Sequence, residues 1–378
     1  MKNYYLDHAA TTPLDGHVIE AMLPYMTTYY GNPSSIHHAG MLVKRAINEA
    51  RMHVAELFGV QDKGVIFTSG GTESTNLAIR GYAQKHPQKK EIITSVIEHH
   101  ATLHTLEELQ KEGYMIHYLP VNHEGFIDIE LLKNTLNDQT LMVSIIWANN
   151  EIGTIQDVKK IGQLCHEKGV KLHVDAVQMV AHFNVSFHDY PIDFLSLSAH
   201  KFYGPKGMGT LVVRDDSDLS PIIFGGHQER GIRSGTENVY GIIGLAAALK
   251  LKSVNSQKRY DNLLLLTERF KTLASEYPDI IINGPKDQNM RLPGLLSLSF
   301  PNVESQSMAF ALDQKGIYVS NGSACLSNEV TESHVLKAIG VSPDVGTIRM
   351  SFGKDTLIDD LPDVWDIIKD VYEEIKED

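Results

Sequence analysis

The sequence predicts an α/β fold, with a large domain built on a mostly parallel seven-stranded sheet and a smaller α+β domain. Three observations carry that prediction. From about Gly64 onward, apolar strand-like runs alternate with helix-like stretches. Several of the runs are apolar throughout, as in strands covered on both faces. The length of 378 residues, with 42% hydrophobic and 21% charged, suits one large domain and a smaller companion.

The strands predicted for the large domain are GVIFTS (64–69), EIITSVI (91–97), MIHYLP (115–120), LMVSIIWA (141–148), KLHVDAV (171–177), FLSLSA (194–199) and TLVVRD (210–215). Amphipathic stretches such as TNLAIRGYAQKH and VKKIGQLCHEKG separate them. A long helical pattern then runs from about Tyr240 to Tyr277, with a break near Asn255. The domains are expected to divide at about Lys258, giving a large domain over 15–258 and a small one over 1–14 and 259–378. In the small domain IIING, GLLSLSFP and GIYVS read as strands, and VTESHVLKAIG and DLPDVWDIIKDVYEEIKE read as helices. The first fifteen residues fit against either domain.

Composition excludes several classes. A formal net charge of −13 argues against a direct nucleic-acid surface. No apolar run approaches the roughly 20 residues that span a bilayer. Only two cysteines occur, Cys165 and Cys325, too few for a disulfide framework. A cytoplasmic protein without a membrane partner is the expectation.

Open α/β sheets bind ligands at the carboxyl ends of their strands, so the residues after each strand bear on function. The first strand is followed by Ser69-Gly70-Gly71-Thr72 and a helix, a turn suited to phosphate or, alternatively, a simple cap at Thr72. His99 follows the second strand, and Asn149, Asn150 and Glu151 follow the fourth. Asp175 closes the fifth, with Gln178 behind it. A buried carboxylate there needs a partner, either a protonated pyridine nitrogen or backbone amides. The sixth strand ends in Ser198-Ala199-His200-Lys201. Lys201 reads as a solvated loop residue or as a Schiff-base lysine. Pyridoxal 5'-phosphate (PLP) needs such a lysine, a carboxylate for its ring nitrogen and a phosphate cradle, and all three types stand at strand ends. His100 and His104 have the i, i+4 spacing of a metal pair but lack the accompanying Glu, and no metal site is expected.

At SAHKFYGPKG (198–207) the chain resembles the class-V aminotransferase family, and within it the cysteine desulfurases of the iron–sulfur assembly and nitrogen-fixation type. The resemblance extends through YLDHAATTP, GNPSSIHHAG (31–40), FTSGGTESTN (67–76), NNEIG (149–153), HVDAVQ (173–178), ERGIRSGTEN (229–238), NGSACLS (321–327) and IRMSFG (348–353). It implies the PLP-dependent transferase fold of the aspartate aminotransferase kind. Lys201 would hold the cofactor and Asp175 its ring nitrogen. Gln178 and Asn150 would lie near the phenolic oxygen, with His99 stacked on the ring and assisting proton transfer. Gly71, Thr72, Ser198 and His200 would hold the phosphate. Thr236 would reach the phosphate of the second subunit of a homodimer. Asn32 and Arg349 would bind the substrate carboxylate.

Cys325 narrows the reaction. It stands in a small, polar stretch after GIYVS that reads as a mobile loop carrying either a nucleophilic or an inert thiol. Cys165, on a helical stretch, reads as a buried structural thiol. The resemblance implies that Cys325 takes sulfur from L-cysteine as a persulfide, leaving L-alanine, and passes it to an acceptor protein for iron–sulfur assembly or tRNA thiolation. Two other readings stay open: a selenocysteine lyase or aminotransferase of the same fold, and a non-catalytic PLP-binding scaffold.

Overall fold

The computed structural model describes residues 2–214, 218–321 and 332–377. Its strands are β1 (Tyr4–Tyr5), β2 (Val65–Thr68), β3 (Glu91–Ser95), β4 (Met115–Leu119), β5 (Thr140–Ile146), β6 (Lys171–Asp175), β7 (Phe194–Ser198), β8 (Gly209–Val213), β9 (Ile281–Ile282), β10 (Leu295–Pro301), β11 (Ile317–Tyr318) and β12 (Val345–Ser351). The helices are α1 (Gly16–Thr27), α2 (His38–Phe58), α3 (Gly71–Lys85), α4 (His100–Lys111), α5 (Ile129–Thr135), α6 (Val158–Glu167), α7 (Val177–His182), α8 (Val239–Val254), α9 (Ser256–Ala274), α10 (Ser305–Gln314), α11 (His334–Ala338) and α12 (Leu361–Glu377).

Seven strands form the main sheet in the order β2-β8-β7-β6-β5-β3-β4. Only β8 runs against its neighbours, β2 and β7. The other pairings are parallel. Consequently β2, β3, β5, β6 and β7 end on one edge of the sheet, and β8 starts there. β2, β5 and β7 are buried along their whole length, as expected of largely apolar strands covered on both faces. In the centre His173 is fully buried between Ser144 Oγ (2.8 Å) and Ser196 Oγ (2.9 Å), and burial pulls its imidazole down to about 3. It is a neutral structural histidine.

Two strands end earlier than the sequence reading has them, one of them at a helix start. The predicted strand over 171–177 stops at Asp175 because Asp175 Oδ1 accepts the Val177 N–H (3.0 Å) as α7 begins. The strand predicted over 141–148 stops at Ile146, and Ala148 instead bridges Ile155. Two helices before Gly64, α1 and α2, were not anticipated. Asp15 caps α1 through the His17 N–H (2.9 Å), and Gly59, at φ 67°, ends α2. Both contribute to the main core beside α8.

A second core is formed by α9, β10, β12 and α12, with β10 between β9 and β12 in a three-stranded antiparallel sheet. Asn255 separates α8 from α9, and residue 258 falls in the first turn of α9. The N-terminal segment joins the two cores. Tyr4 and Leu6 lie in the second, β1 pairs in parallel with β11, and Ala9 lies in the first.

Candidate active site

A cavity of about 540 Å³ opens at the sheet edge where the parallel strands end. Gly71, Thr72, His99, Asn150, Asp175, Gln178, Ser198, His200, Lys201 and Arg349 all line it, so strand ends scattered over the sequence meet in one place. The cavity floor depends on absent side chains. A Cβ on Gly209 would stand 2.5 Å from the Gly70 carbonyl carbon, so β8 approaches the Gly70-Gly71 turn only because it begins with glycine. A Cβ on Gly71 would meet Val177 Cγ2 at 2.8 Å. Behind this turn α3 begins, and its first N–H groups and dipole favour an anion.

Lys201 follows β7 in a short 3₁₀ turn. Its Nζ donates to the carbonyls of Ala9 and Ala10, each at 2.8 Å. Gln178 Nε2 also donates to the Ala9 carbonyl (2.8 Å), and Ala9 N–H donates to Ser351 Oγ (2.8 Å). The N-terminal segment therefore holds both lysine and glutamine, a role the sequence reading left open. Its clue was the run of small residues in HAATT, which lets the backbone approach.

Asp175 is 6% exposed, and burial raises its carboxyl to about 6, partly offset by the Val177 N–H and the Lys201 charge. Such a carboxyl is short of a cationic partner. His99 caps α4 by accepting the Ala101 N–H at Nδ1 (3.1 Å), which puts the proton of the neutral ring on Nε2. Burial, then the Lys201 charge, lowers this imidazole to about 4, so it is neutral near pH 7. Burial and the Lys201 charge likewise hold His200 down to about 4, with Nδ1 3.1 Å from Thr11 Oγ1.

Arg349 lies on β12, in the second core's sheet, yet reaches this cavity. It pairs with Asp7 Oδ1 (2.6 Å) and donates to the Asn150 carbonyl (3.0 Å). Its buried Nε has no acceptor among the described residues. An orphaned donor on a fixed guanidinium suits a carboxylate.

One group escaped sequence reasoning. Glu98 is 1% exposed beside His99, and burial pushes its carboxyl up to about 8 despite the Ser95 hydroxyl bonded to Oε1 (2.5 Å). Its Oε2 has no partner among the described residues. Glu98 stands directly before His99 in the sequence, but only the packing, which pushes its carboxyl up, sets it apart.

Asn32 and Thr236 do not line this cavity. Asn32 is exposed, with Oδ1 accepting the Ser34 N–H (2.9 Å). Thr236 lines a separate hollow with Glu229, Arg233 and Glu237. Cys325 lies outside the described residues. Cys165 is fully buried on α6, and burial pushes its thiol up to about 12, the state of an inert core cysteine. Among the described residues no group of three His, Cys, Asp or Glu side chains is arranged to hold a metal, and no helix is long and apolar enough to cross a membrane.

A sheet of this topology, with a lysine, a carboxyl and a glycine-lined anion turn at its strand ends, defines a class of protein. The chain belongs to the class-V aminotransferase family, whose pattern it matches over residues 4–364. Within that family it is similar to "Cysteine desulfurase IscS" of Dictyoglomus turgidum, 44% identical, with 99% of this chain and 96% of the relative covered. It is 42% identical to the protein of the same name from Clostridium botulinum (strain Hall), covering all of this chain and 96% of the relative. Among solved structures it resembles a "NIFS-like protein" at TM-score 0.92 and 34% identity, covering 99% and 100% of the two chains. It also resembles "SspA in complex with cysteine" at TM-score 0.83 and 34% identity, covering 93% and 99%.

Proposed function

We propose that this chain is a PLP-dependent cysteine desulfurase, converting L-cysteine to L-alanine and passing the sulfur on as a persulfide. The observation that carries the reading is the convergence of Lys201, the partner-poor Asp175 and the Gly71 turn on one cavity. These residues fit PLP. The turn would take the phosphate with Thr72, Ser198 and His200. Asp175 would take the ring nitrogen, which supplies the cation its carboxyl lacks. Gln178 and Asn150 would lie at the phenolic oxygen, and His99 against the ring. When bound, PLP draws electrons from the substrate α-carbon and so makes its proton removable.

The chain's own residues supply the rest. Lys201 would anchor the cofactor, and its Nζ is the group that would carry the substrate α-proton. The two carbonyls on its Nζ aim it. His99, neutral and with its one ring proton on Nε2, would stack on the cofactor ring and assist proton transfer as a hydrogen-bond donor. Arg349, fixed by Asp7, receives the substrate carboxylate, and Asn32 is assigned there on the resemblance alone. The Cys325 thiolate attacks the substrate sulfur. As the new S–S bond forms, the bond between that sulfur and the substrate β-carbon breaks, and its electron pair stays with the β-carbon, which takes up a proton to become the methyl group of alanine.

The reading extends to the assembly. Residues 15–258 are taken as the cofactor-bearing domain, and 1–14 with 259–378 as the small domain. A homodimer accounts for Tyr30 and Phe224, each 81% exposed, and for Ile36, 93% exposed. It also gives Thr236 a phosphate to reach, that of the second subunit. An acceptor protein, for iron–sulfur assembly or tRNA thiolation, would collect the sulfur. A cytoplasmic setting keeps the nucleophilic thiol reduced. The test is to load the protein with PLP and supply L-cysteine and a thiol. Alanine and sulfide should appear in equal amounts, and absence of both contradicts the reading.

A further inference from the structure

Behind Lys201, on the side away from the Gly71 turn, lies a second cavity of about 520 Å³. Ala9, Gln178 and Lys201 line both cavities and form the wall between them. The second cavity sits where α8, α9 and the segment after β12 meet, at the border of the two cores. In a chain of net charge −13 its lining is unusual: five Lys or Arg side chains and a single carboxylate, Asp15. Asp15 is already engaged by Lys354 and lies 3.2 Å from His17 Nδ1.

Two of the remaining cations, Lys252 and Arg259, form no ion pair with a carboxylate among the described residues, although the Asp15 charge acts on Arg259. The guanidinium of Arg259, on α9, makes no hydrogen bond or ion pair among the described residues, and its Cζ lies 4.9 Å from the Tyr203 ring centroid. Lys252, on α8 and 5% exposed, donates to the Phe183 carbonyl and to Asn184 Oδ1 (3.0 Å), never to a carboxylate. Burial, reinforced by the Arg259 charge, lowers its ammonium to about 7. His182 is half-buried at the same cavity, and its Nδ1, itself shielded from solvent, has no partner among the described residues. A buried cation that lacks an anion is held at a cost.

Tyr203 stands at the centre of this group. Its backbone sits in the left-handed region at φ 66°, an uncommon position for a bulky residue, and its N–H is pinned to Thr12 Oγ1 (2.8 Å). The ring is covered by Arg259 and by Lys354 Nζ, 4.8 Å from its centroid. Its hydroxyl oxygen accepts the Lys354 N–H (2.7 Å), which leaves the hydroxyl proton available to donate.

We infer that this rear cavity is a binding site for a compact phosphate-type oxyanion, held by Arg259, Lys252 and the Tyr203 hydroxyl. The ligand would replace the missing counter-ion and join α8 to α9 across Asn255. Through Tyr203 and Ala9 it would brace the wall against which Lys201 rests.

The test uses the PLP-loaded protein, in which the front phosphate turn is already filled. Thermal unfolding is followed while inorganic phosphate, or separately glycerol 3-phosphate, replaces chloride at constant ionic strength. A saturating rise in Tm is expected. A response to inorganic phosphate identifies a free ion, and a response to the ester alone identifies a phosphate monoester. Arg259→Gln should weaken binding about tenfold, as loss of a charge-assisted pair does. Lys258→Gln, at the exposed rim, should weaken it less and serves as the variant if Arg259→Gln does not fold. Arg349→Gln should leave the response intact. The inference is overturned if neither anion raises Tm, if Arg259→Gln and Lys258→Gln bind as wild type does, or if Arg349→Gln alone abolishes the response.

Discussion

Lys201 and Lys252 are both lysines turned inward, and the regions around them differ in a way that bears on catalysis. Around Lys201 the groups are complementary. A carboxyl short of a cationic partner at Asp175, a glycine-lined anion turn and Arg349, with its orphaned donor, line the same 540 Å³. Around Lys252 the groups are alike, cation beside cation, with a backbone carbonyl and an amide oxygen as the lysine's acceptors. Burial alone does not make a lysine reactive in a useful way. What does is a set of neighbours able to hold every other part of the reacting molecule.

The sharpest way to break this contrast is to remove each lysine. Lys201→Ala should lose the visible absorbance of the PLP–lysine Schiff base and lower turnover by about a thousandfold or more. Lys252→Met should retain that absorbance. The reverse pattern would exchange the two roles. Next in size is Asp175→Ala, which removes the charge partner of the ring nitrogen. Turnover should fall about a hundredfold and PLP should dissociate more readily, as measured by dialysis and absorbance.

A smaller effect tests the neutral state of Glu98. Its carboxyl is raised from the ordinary range to about 8 by burial. Between those values the folded protein holds a proton that the unfolded chain releases. Stability from this group is therefore complete below the ordinary carboxyl range and is lost as pH rises toward 8. Glu98→Gln should flatten the decline in Tm across that window. A variant that declines as steeply as wild type would mean that Glu98 is charged in the folded protein.

The two regions were also unequally legible in the sequence. The Lys201 site lies at strand ends, where apolar runs stop and polar residues begin, so periodicity alone marked Asp175, Lys201 and the Gly70-Gly71 turn. The rear cavity carries no such punctuation. Arg259 and Lys252 sit on helices among other charged residues, and only the meeting of α8, α9 and the segment after β12 brings them together. α1 and α2 were missed because they follow one another with no strand between them, ahead of the strand–helix alternation that begins at β2. Arg349 was named from the resemblance, but its pairing with Asp7 joins residues at opposite ends of the chain, which no local pattern encodes. The sequence reading also extended β6 through Val177, where the side chain of Asp175 turns the backbone into a helix.

The central claim is sulfur transfer through Cys325, and one measurement bears on it directly. Wild type, Cys325→Ser and Cys165→Ser are each loaded with PLP and given L-cysteine. Alanine is then followed, and the peptide containing residue 325 is weighed by mass spectrometry. The account predicts alanine and a persulfide mass from wild type and from Cys165→Ser, whose thiol is buried and held near 12. It predicts neither from Cys325→Ser, which should still show the Schiff-base absorbance. Alanine release by Cys325→Ser at the wild-type rate would contradict it.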